Sequence, residues 1–334
     1  MAHLACRRFA WLAAAVLLVI RPSYAGVLDP ILVDSFESGD SCSWGAGPAT
    51  CPGFTITTPP LQVESGQEVA YCYYFHTGNA DVQGAHRITS SMEAAVVYTS
   101  LLTTHDGLGN PVDIQPPGTL ATAGCDFAGG NVNSRRVYTA HELAAELLLP
   151  TDDGTGNPLA LEFLAGQPAV LVAHLINVTD QPVTTAVTLT AYAHAPEVSY
   201  TKTATFTTFD TQLTLPPLSV STSTHTCAVP TGVKFWWFST HTHGYAQEAK
   251  LRNGLSDIVV STDWQSPAVA SFGPPSFYEF GVGEQITYSC TYFNNQNFTI
   301  LDGQSYLSDE NCIGLAYFFP ANAPRFCVNN ILIP

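Results

Sequence analysis

Two histidines separated by one residue, His241 and His243, are the residues best placed to do chemistry. They directly follow an aromatic run, 233–239, that is typical of a strand. On a strand, residues i and i+2 point to the same face, so the two imidazoles are predicted to lie side by side. Such a pair suits copper or zinc. Two exposed or hydrogen-bonded histidines without a metal are the alternative. Trp236 and Trp237, adjacent in the same run, are predicted to face opposite ways.

The surrounding sequence predicts strands and turns. Threonine alternates with apolar residues over 184–193, and 169–177 is an apolar run of buried-strand length. Dense turn signals occur at 106–111 and 152–158. Only 140–149 has a helical composition, and it is predicted to be a helix. Short strands without βαβ alternation predict an all-β fold of sandwiches or jelly rolls.

The first 25 residues predict export. Arg7 and Arg8 precede an apolar run, 9–20, and Ser23-Tyr24-Ala25 provides small residues at the spacing of a signal-peptidase site. The run is too short to span a bilayer, and no later run reaches the required length. We therefore predict a signal peptide (1–25), an irregular segment (26–52) and a secreted or periplasmic protein without a membrane span.

The charge balance excludes one class of partner. The chain has 11 Lys and Arg against 27 Asp and Glu, a net charge of −16. Removal of the signal peptide with its three arginines makes the balance −19. Such an acidic surface repels phosphate backbones, so nucleic acid is not predicted as a partner.

Eight cysteines remain after the signal peptide, and their even number in an exported chain predicts four disulfides. They allow 105 pairings, so the sequence alone does not choose among them. No CxxC occurs, which argues against a zinc knuckle or a thioredoxin-like motif.

The motifs that follow the histidine pair occur in an ordered series. They are LRNG at 251–254, STDW at 261–264, FGPP at 272–275, YSCTY at 288–292, SDENC at 308–312 and AYFFPA at 316–321. In this order they resemble the C-terminal domain of the copper type II, ascorbate-dependent monooxygenases. That family includes peptidylglycine α-hydroxylating monooxygenase and dopamine β-monooxygenase. The resemblance covers 227–327 and extends more weakly over 68–190.

The resemblance implies two consecutive antiparallel jelly-roll β-sandwich domains with a cleft between them, here 53–196 and 197–334. The family's disulfide pattern implies Cys227–Cys327 and Cys290–Cys312. With those pairs taken from the family, the suggested remaining pairs are Cys72–Cys125 and Cys42–Cys51.

The family's oxygen-binding copper is held by the HxH histidines and one methionine. The resemblance therefore implies copper at His241 and His243. Asn311 stands where the family has its methionine, so the site would be completed by Asn311 or water. An amide oxygen is a hard, weak ligand for Cu(I).

The family's second copper, which stores an electron, is held by an adjacent His-His pair and a third histidine. Val96 and Val97 stand where that pair is expected, and His174 matches the third ligand. His174 alone would not hold copper, so the resemblance implies one copper site at most.

Two functions follow as hypotheses. One is an exported copper monooxygenase-like protein with a single copper at the HxH pair and reduced hydroxylase activity. The alternative is a non-catalytic double jelly-roll protein that has lost both copper sites and binds a small molecule or peptide in the cleft. A glycan-processing enzyme on the same fold is a weaker analogy. The remaining histidines are predicted to be surface or internally satisfied residues. They are His76, His86, His105, His141, His194 and His225.

Overall fold

A computed structural model of the chain describes residues 52–122, 125 and 133–333. All regular elements in these ranges are strands, and none is a helix that is long and apolar enough to cross a membrane. The fold is all-β and consists of two consecutive jelly-roll sandwiches, as predicted. Both sandwiches belong to one compact unit, residues 45–334. The predicted signal peptide and nearly all of the predicted irregular segment lie outside the described residues.

The first sandwich contains the strands before residue 203. They are β1 (Pro52–Thr57), β2 (Leu61–Val63), β3 (Glu68–His76), β4 (Gln83–Met92), β5 (Val96–Thr104), β6 (Leu120–Ala121), β7 (Ser134–Ala140), β8 (Ala144–Leu148), β9 (Leu159–Phe163), β10 (Pro168–Ile176), β11 (Val183–Thr185), β12 (Val187–Ala193) and β13 (Thr201–Lys202). One sheet has the order β1-β12-β4-β9-β13, with β8 also paired to β4. The facing sheet has the order β6-β3-β10-β5-β7, and β2 pairs with β11.

The second sandwich contains the remaining strands. They are β14 (Ala204–Phe209), β15 (Thr214–Leu215), β16 (Ser219–Ala228), β17 (Lys234–His241), β18 (Ala246–Asn253), β19 (Ser256–Ser261), β20 (Val269–Ser271), β21 (Gln285–Asn294), β22 (Ile300–Leu301), β23 (Ile313–Phe319), β24 (Arg325–Val328) and β25 (Ile331–Ile333). The sheets have the orders β20-β17-β23-β14-β24-β25 and β16-β21-β18-β19, and β15 pairs with β22. All pairs are antiparallel except β9–β13 and β14–β24.

The burial patterns explain why these segments form strands. β12 alternates buried and half-buried residues because it presents one face to the core, as its period-two sequence predicts. β10 is buried over seven residues because it lies between β3 and β5. Side chains of the second sandwich also pack in the core of the first, including those of Trp236, Phe277 and Phe319. The two sandwiches therefore share an apolar interface.

The predicted helix over 140–149 is wrong. Its middle forms β8, which pairs antiparallel with β4 from Ser91↔Ala144 to Arg87↔Leu148. Alanine, glutamate and leucine favour helices only weakly, by fractions of a kcal/mol each. Pairing with β4 and burial of Leu147 in the core override that preference.

The two tryptophans of β17 do not simply face opposite ways. The register between β17 and β23 shifts between Phe235 and Trp237, which marks a bulge at Trp236. Phe235 and Phe238 consequently face the core of the second sandwich. Both tryptophans contact the ring of Tyr317, with centroids 4.9 Å and 5.5 Å away.

Three disulfides staple the described part of the chain. They join Cys72 to Cys125, Cys227 to Cys327 and Cys290 to Cys312, with Cα–Cα distances of 5.6, 6.2 and 5.8 Å. The last two are the pairs that the resemblance implies. The suggested Cys42–Cys51 pair lies outside the described residues.

Candidate functional site

The HxH pair lies at the end of β17, where the two sandwiches meet. His241 is the last residue of the strand, and His243 follows it in the turn that leads to β18. Both histidines are buried. Their ring centroids are 5.5 Å apart and their planes are nearly perpendicular. The rings are thus adjacent, but they are not parallel neighbours on one strand face.

His241 contacts a histidine of the first sandwich. The Nε2 of His141, directly after β7, lies 2.8 Å from the Nδ1 of His241. One of these nitrogens must carry a proton and the other must accept it. His141 is predicted from the sequence to be a surface or internally satisfied histidine, and its contact with the HxH pair is not predicted. This contact depends on the packing of the two sandwiches, because His141 and His241 are 100 positions apart in the sequence.

His243 is held by the segment that precedes β23. Its Nδ1 donates to the backbone carbonyl of Asp309 at 3.1 Å, which fixes the tautomer. Its Nε2 then accepts a hydrogen bond from the Asn311 amide Nδ2 at 2.9 Å. Asn311 is therefore brought to the HxH pair, as the resemblance implies, but its amide nitrogen faces the imidazole.

His174 and the HxH pair contact the same two tyrosine rings. Tyr306 is 3.9 Å from His243 and 4.8 Å from His174, measured between ring centroids. Tyr98 contacts both His174 and His241 at 5.6 and 5.4 Å. The two tyrosine rings thus contact both His174 and the HxH pair.

Glu68 joins this cluster to the second sandwich. Its carboxylate accepts hydrogen bonds from His174 Nε2 at 2.8 Å, Ser305 Oγ at 2.6 Å and the backbone N–H of Tyr306 at 2.6 Å. Burial alone would raise the pKa of Glu68, but these hydrogen bonds together lower it below its usual value. The ionised carboxylate is a polar link between β3 and the 303–309 loop.

The burial of the histidines keeps them neutral. Burial lowers the pKa of His141 to about 4, with further lowering by Arg136 and His243. Burial lowers the pKa of His243 to about 4 as well, although the Asp309 carbonyl opposes the change. Burial and the neighbouring imidazoles lower the pKa of His241 well below its usual value. Neutral imidazole is the form that binds metals and also the form that tolerates an apolar interface.

As arranged, the donor atoms do not fit copper. In the part of the chain that the structure describes, no group of three or more His, Cys, Asp or Glu residues is placed to hold a metal ion. The Nε2 of His243 faces an N–H donor, and the Nδ1 of His241 faces His141. No hydroxylation chemistry follows from this arrangement.

A cavity of about 450 Å³ lies beside this cluster, between the two sandwiches. We call it the interdomain cavity. One wall comes from β7 and β8 and the loop between them, including His141 and Glu142, and the other comes from β17, β20 and β23, including Trp237 and Tyr317. β7 and β20 are edge strands of their sheets. Of the residues that line this cavity, the sequence indicated only the aromatic strand β17. The strands of the opposite wall, β7 and β8, are about 100 residues away in the sequence.

Comparison with known proteins yields neither a family nor a close relative. No protein-family model matches the chain, and no curated protein matches it. The major capsid protein P2 from bacteriophage PM2 aligns over 80% of this chain and 100% of its own, with 8% identity and a TM-score of 0.32. The PBSX exported protein XepA aligns over 79% and 86%, with 9% identity and a TM-score of 0.19. A chain of the Sputnik virophage aligns over 91% and 90%, with 10% identity and a TM-score of 0.21. Structural similarities with TM-scores this low do not indicate a function for this chain.

Proposed function

We propose that this chain is an exported, non-catalytic double jelly-roll protein that binds a small ligand in the interdomain cavity. The observation that carries the proposal is the cavity itself, whose walls come from both sandwiches. Its volume of about 450 Å³ lies within the range of small-molecule sites. The buried histidine cluster next to the cavity holds the two walls together, because His141 of the first sandwich contacts His241 of the second.

The lining indicates the class of ligand. Trp237 is only partly buried and provides an aromatic surface. Glu142 and Glu146 are exposed carboxylates on the opposite wall, and Glu146 pairs with Arg87 at 2.7 Å. Among the described lining residues there is no lysine or arginine. An aromatic wall opposite carboxylates favours a cationic ligand with an apolar face, by stacking and cation–π attraction.

Phenethylamine and phenylacetate form a matched pair of probes, since they share a ring and differ in charge. We expect calorimetric titration to show saturable binding of phenethylamine and binding of phenylacetate that is about tenfold weaker or more. Trp237→Ala should weaken phenethylamine binding by about tenfold, because it removes the cation–π and stacking surface.

The control for this experiment is Phe298→Ala, which removes an exposed aromatic side chain away from the cavity. It should bind phenethylamine like the unchanged protein. Equal binding by the Trp237→Ala and Phe298→Ala proteins would place the probe elsewhere and refute the cavity as the site.

The competing proposal is a copper-dependent monooxygenase-like protein. One observation favours it, namely the convergence of neutral, buried imidazoles from His141, His241 and His243. To bind copper, the rings would have to break the hydrogen bonds to one another and to Asn311. Imidazole and an amide could then supply a weak site.

Copper content separates the two proposals. After dialysis against Cu(II), we expect no stoichiometric copper in either the unchanged protein or the His241→Ala/His243→Ala variant, because the ring nitrogens are already hydrogen-bonded. About one equivalent of copper in the unchanged protein, lost in the double variant, would instead establish the histidine site. Oxygen uptake with ascorbate would then test for hydroxylation.

A further inference from the structure

Two strands that line the interdomain cavity each have one free edge. β8 pairs with β4 along one edge, and no strand in the described part of the chain pairs with its other edge. β20 pairs in the same one-sided way with β17. Both strands contribute to the cavity lining. An unpaired strand edge presents a row of backbone N–H and C=O groups that a further strand can bind.

The hydrogen bonds at the ends of β8 show which of its residues have unpaired backbone groups. The Leu143 carbonyl accepts a hydrogen bond from the N–H of Met92 at 2.7 Å, and the N–H of Leu149 donates to the His86 carbonyl at 3.0 Å. In an antiparallel pair, alternate residues bond the partner strand, so the odd-numbered residues of β8 bond β4. The N–H and C=O groups of the even-numbered residues therefore point away from β4. These residues are Ala144, Glu146 and Leu148.

The same three residues carry exposed side chains, which determine what can lie against them. Glu146 is a carboxylate, whereas Ala144 and Leu148 are apolar. All three line the interdomain cavity. Side chains that are directly opposite each other in an antiparallel pair are in contact. The free edge of β8 therefore favours a strand with a cationic residue opposite Glu146 and an apolar residue on each side of it, two positions away.

The charge of the cavity favours β8 over β20 as the edge that binds a cationic strand. Glu142, directly before β8, also lines the cavity. The Glu146 side chain pairs with Arg87 but remains 48% exposed, so its carboxylate can accept a hydrogen bond from a second cation. β20 has only three residues, and none of them is charged. β8 thus offers both the longer edge and the charge.

We propose that an extended segment of another protein pairs antiparallel with β8 as an added strand and lies in the interdomain cavity. The segment has a cationic residue opposite Glu146, between apolar residues opposite Ala144 and Leu148. This inference rests on the proposed function, because it states how a cationic ligand of the same cavity is held. Main-chain hydrogen bonds to β8 add to the contact of the ligand with Trp237.

An acetylated and amidated peptide, Val-Thr-Lys-Thr-Val, is the probe for this proposal. Calorimetric titration should show saturable binding at one site per chain. N-methylation of the backbone nitrogen of the lysine should weaken binding by about tenfold or more, because that N–H donates to the Glu146 carbonyl in the proposed pairing. N-methylation of the second threonine is the matched control, since its N–H points away from β8, and this peptide should bind like the unmodified one.

Ala144→Pro tests the same pairing from the side of the protein. It removes an N–H that points away from β4, and proline is tolerated at the first residue of an edge strand. Peptide binding should weaken by about tenfold, whereas phenethylamine binding should be unchanged.

Thr222→Pro, in β16, is the matched control for Ala144→Pro. β16 is also an edge strand, and it does not line the cavity. The N–H of Thr226 donates to Asn330 Oδ1 at 2.8 Å, so the N–H groups of even-numbered residues in β16 point away from β21. The Thr222→Pro protein should bind both the peptide and phenethylamine like the unchanged protein.

The two probes separate failure of this inference from failure of the proposed function. Phenethylamine binding without peptide binding would overturn the added strand and leave the cavity as a small-molecule site. Peptide binding that is unaffected by N-methylation of the lysine and by Ala144→Pro would do the same. Absence of binding by both probes would overturn the cavity as a site, and the added strand with it.

Discussion

Acidification is expected to lower the free energy of unfolding by about 3 kcal/mol per pH unit between the usual histidine pKa of 6.5 and about 4. Above 6.5, the cluster histidines are neutral in both states. Below 6.5, the histidines of the unfolded chain take up protons. Folded His141 and His243 resist protonation until about pH 4, and burial lowers the pKa of folded His241 well below its usual value. The unfolded state then binds more protons, so stability falls as the pH falls.

Glu310 opposes this trend in part. Burial raises its pKa to about 7, against hydrogen bonds from the backbone N–H groups of Asn311, His243 and Tyr245. Between its usual value of 4.5 and about 7, the folded state binds the extra proton, and acidification is stabilising. The three cluster histidines against one carboxyl leave about two protons in favour of the unfolded state, and burial lowers the pKa of His105 and His194 in the same direction. Each proton contributes about 1.4 kcal/mol per pH unit, which accounts for the expected slope.

Chemical denaturation at a series of pH values, at constant ionic strength, measures this slope. His141→Gln keeps a hydrogen-bonding group beside His241 and should reduce the slope by about 1.4 kcal/mol per pH unit. His76→Gln is the control, because His76 is an exposed histidine outside the cluster. The His76→Gln protein should retain the contribution of the three cluster histidines to the slope of stability against pH. A stability that is constant from pH 6.5 to pH 4.5, or a slope unaffected by His141→Gln, would contradict the neutral, buried cluster.

Glu68→Ala is expected to lower the free energy of unfolding by about 3–5 kcal/mol. The substitution leaves His174 Nε2, Ser305 Oγ and the backbone N–H of Tyr306 without their acceptor at a buried contact between the sandwiches. The Glu68 side chain is only 13% exposed, so water does not readily replace the carboxylate. Denaturation at neutral pH, followed by tryptophan fluorescence, measures the loss.

Two further variants make this measurement specific. Glu64→Ala removes an exposed carboxylate near Glu68 in the sequence, and it should change stability by less than about 0.5 kcal/mol. Glu68→Gln keeps the shape and an acceptor oxygen without the charge, and its stability should be intermediate. Equal stability of Glu68→Ala and Glu64→Ala would mean that Glu68 does not link the sandwiches.

Local patterns in the sequence were sufficient for the fold class and for most strands. The alternation of threonine with apolar residues in β12 and the unbroken apolar run in β10 follow from the period of a strand and from its burial. The same reasoning failed at 140–149, where weak helix propensity yielded to pairing with β4. It also failed at Trp236, because a bulge changes the faces of the residues after it.

The sequence by itself indicated the HxH pair, and only the tertiary structure decided which other side chains join it, among them His141, Tyr98, Tyr306 and Glu68. The spacing of His241 and His243 showed two adjacent imidazoles, and the resemblance placed Asn311 beside them. The contact of His241 with His141 and the contact of Tyr306 with His174 both join different sandwiches. Sequence periodicity reports which face a residue takes within its own strand. It contains no information about which distant strand lies opposite, because that is set by the packing of whole sheets.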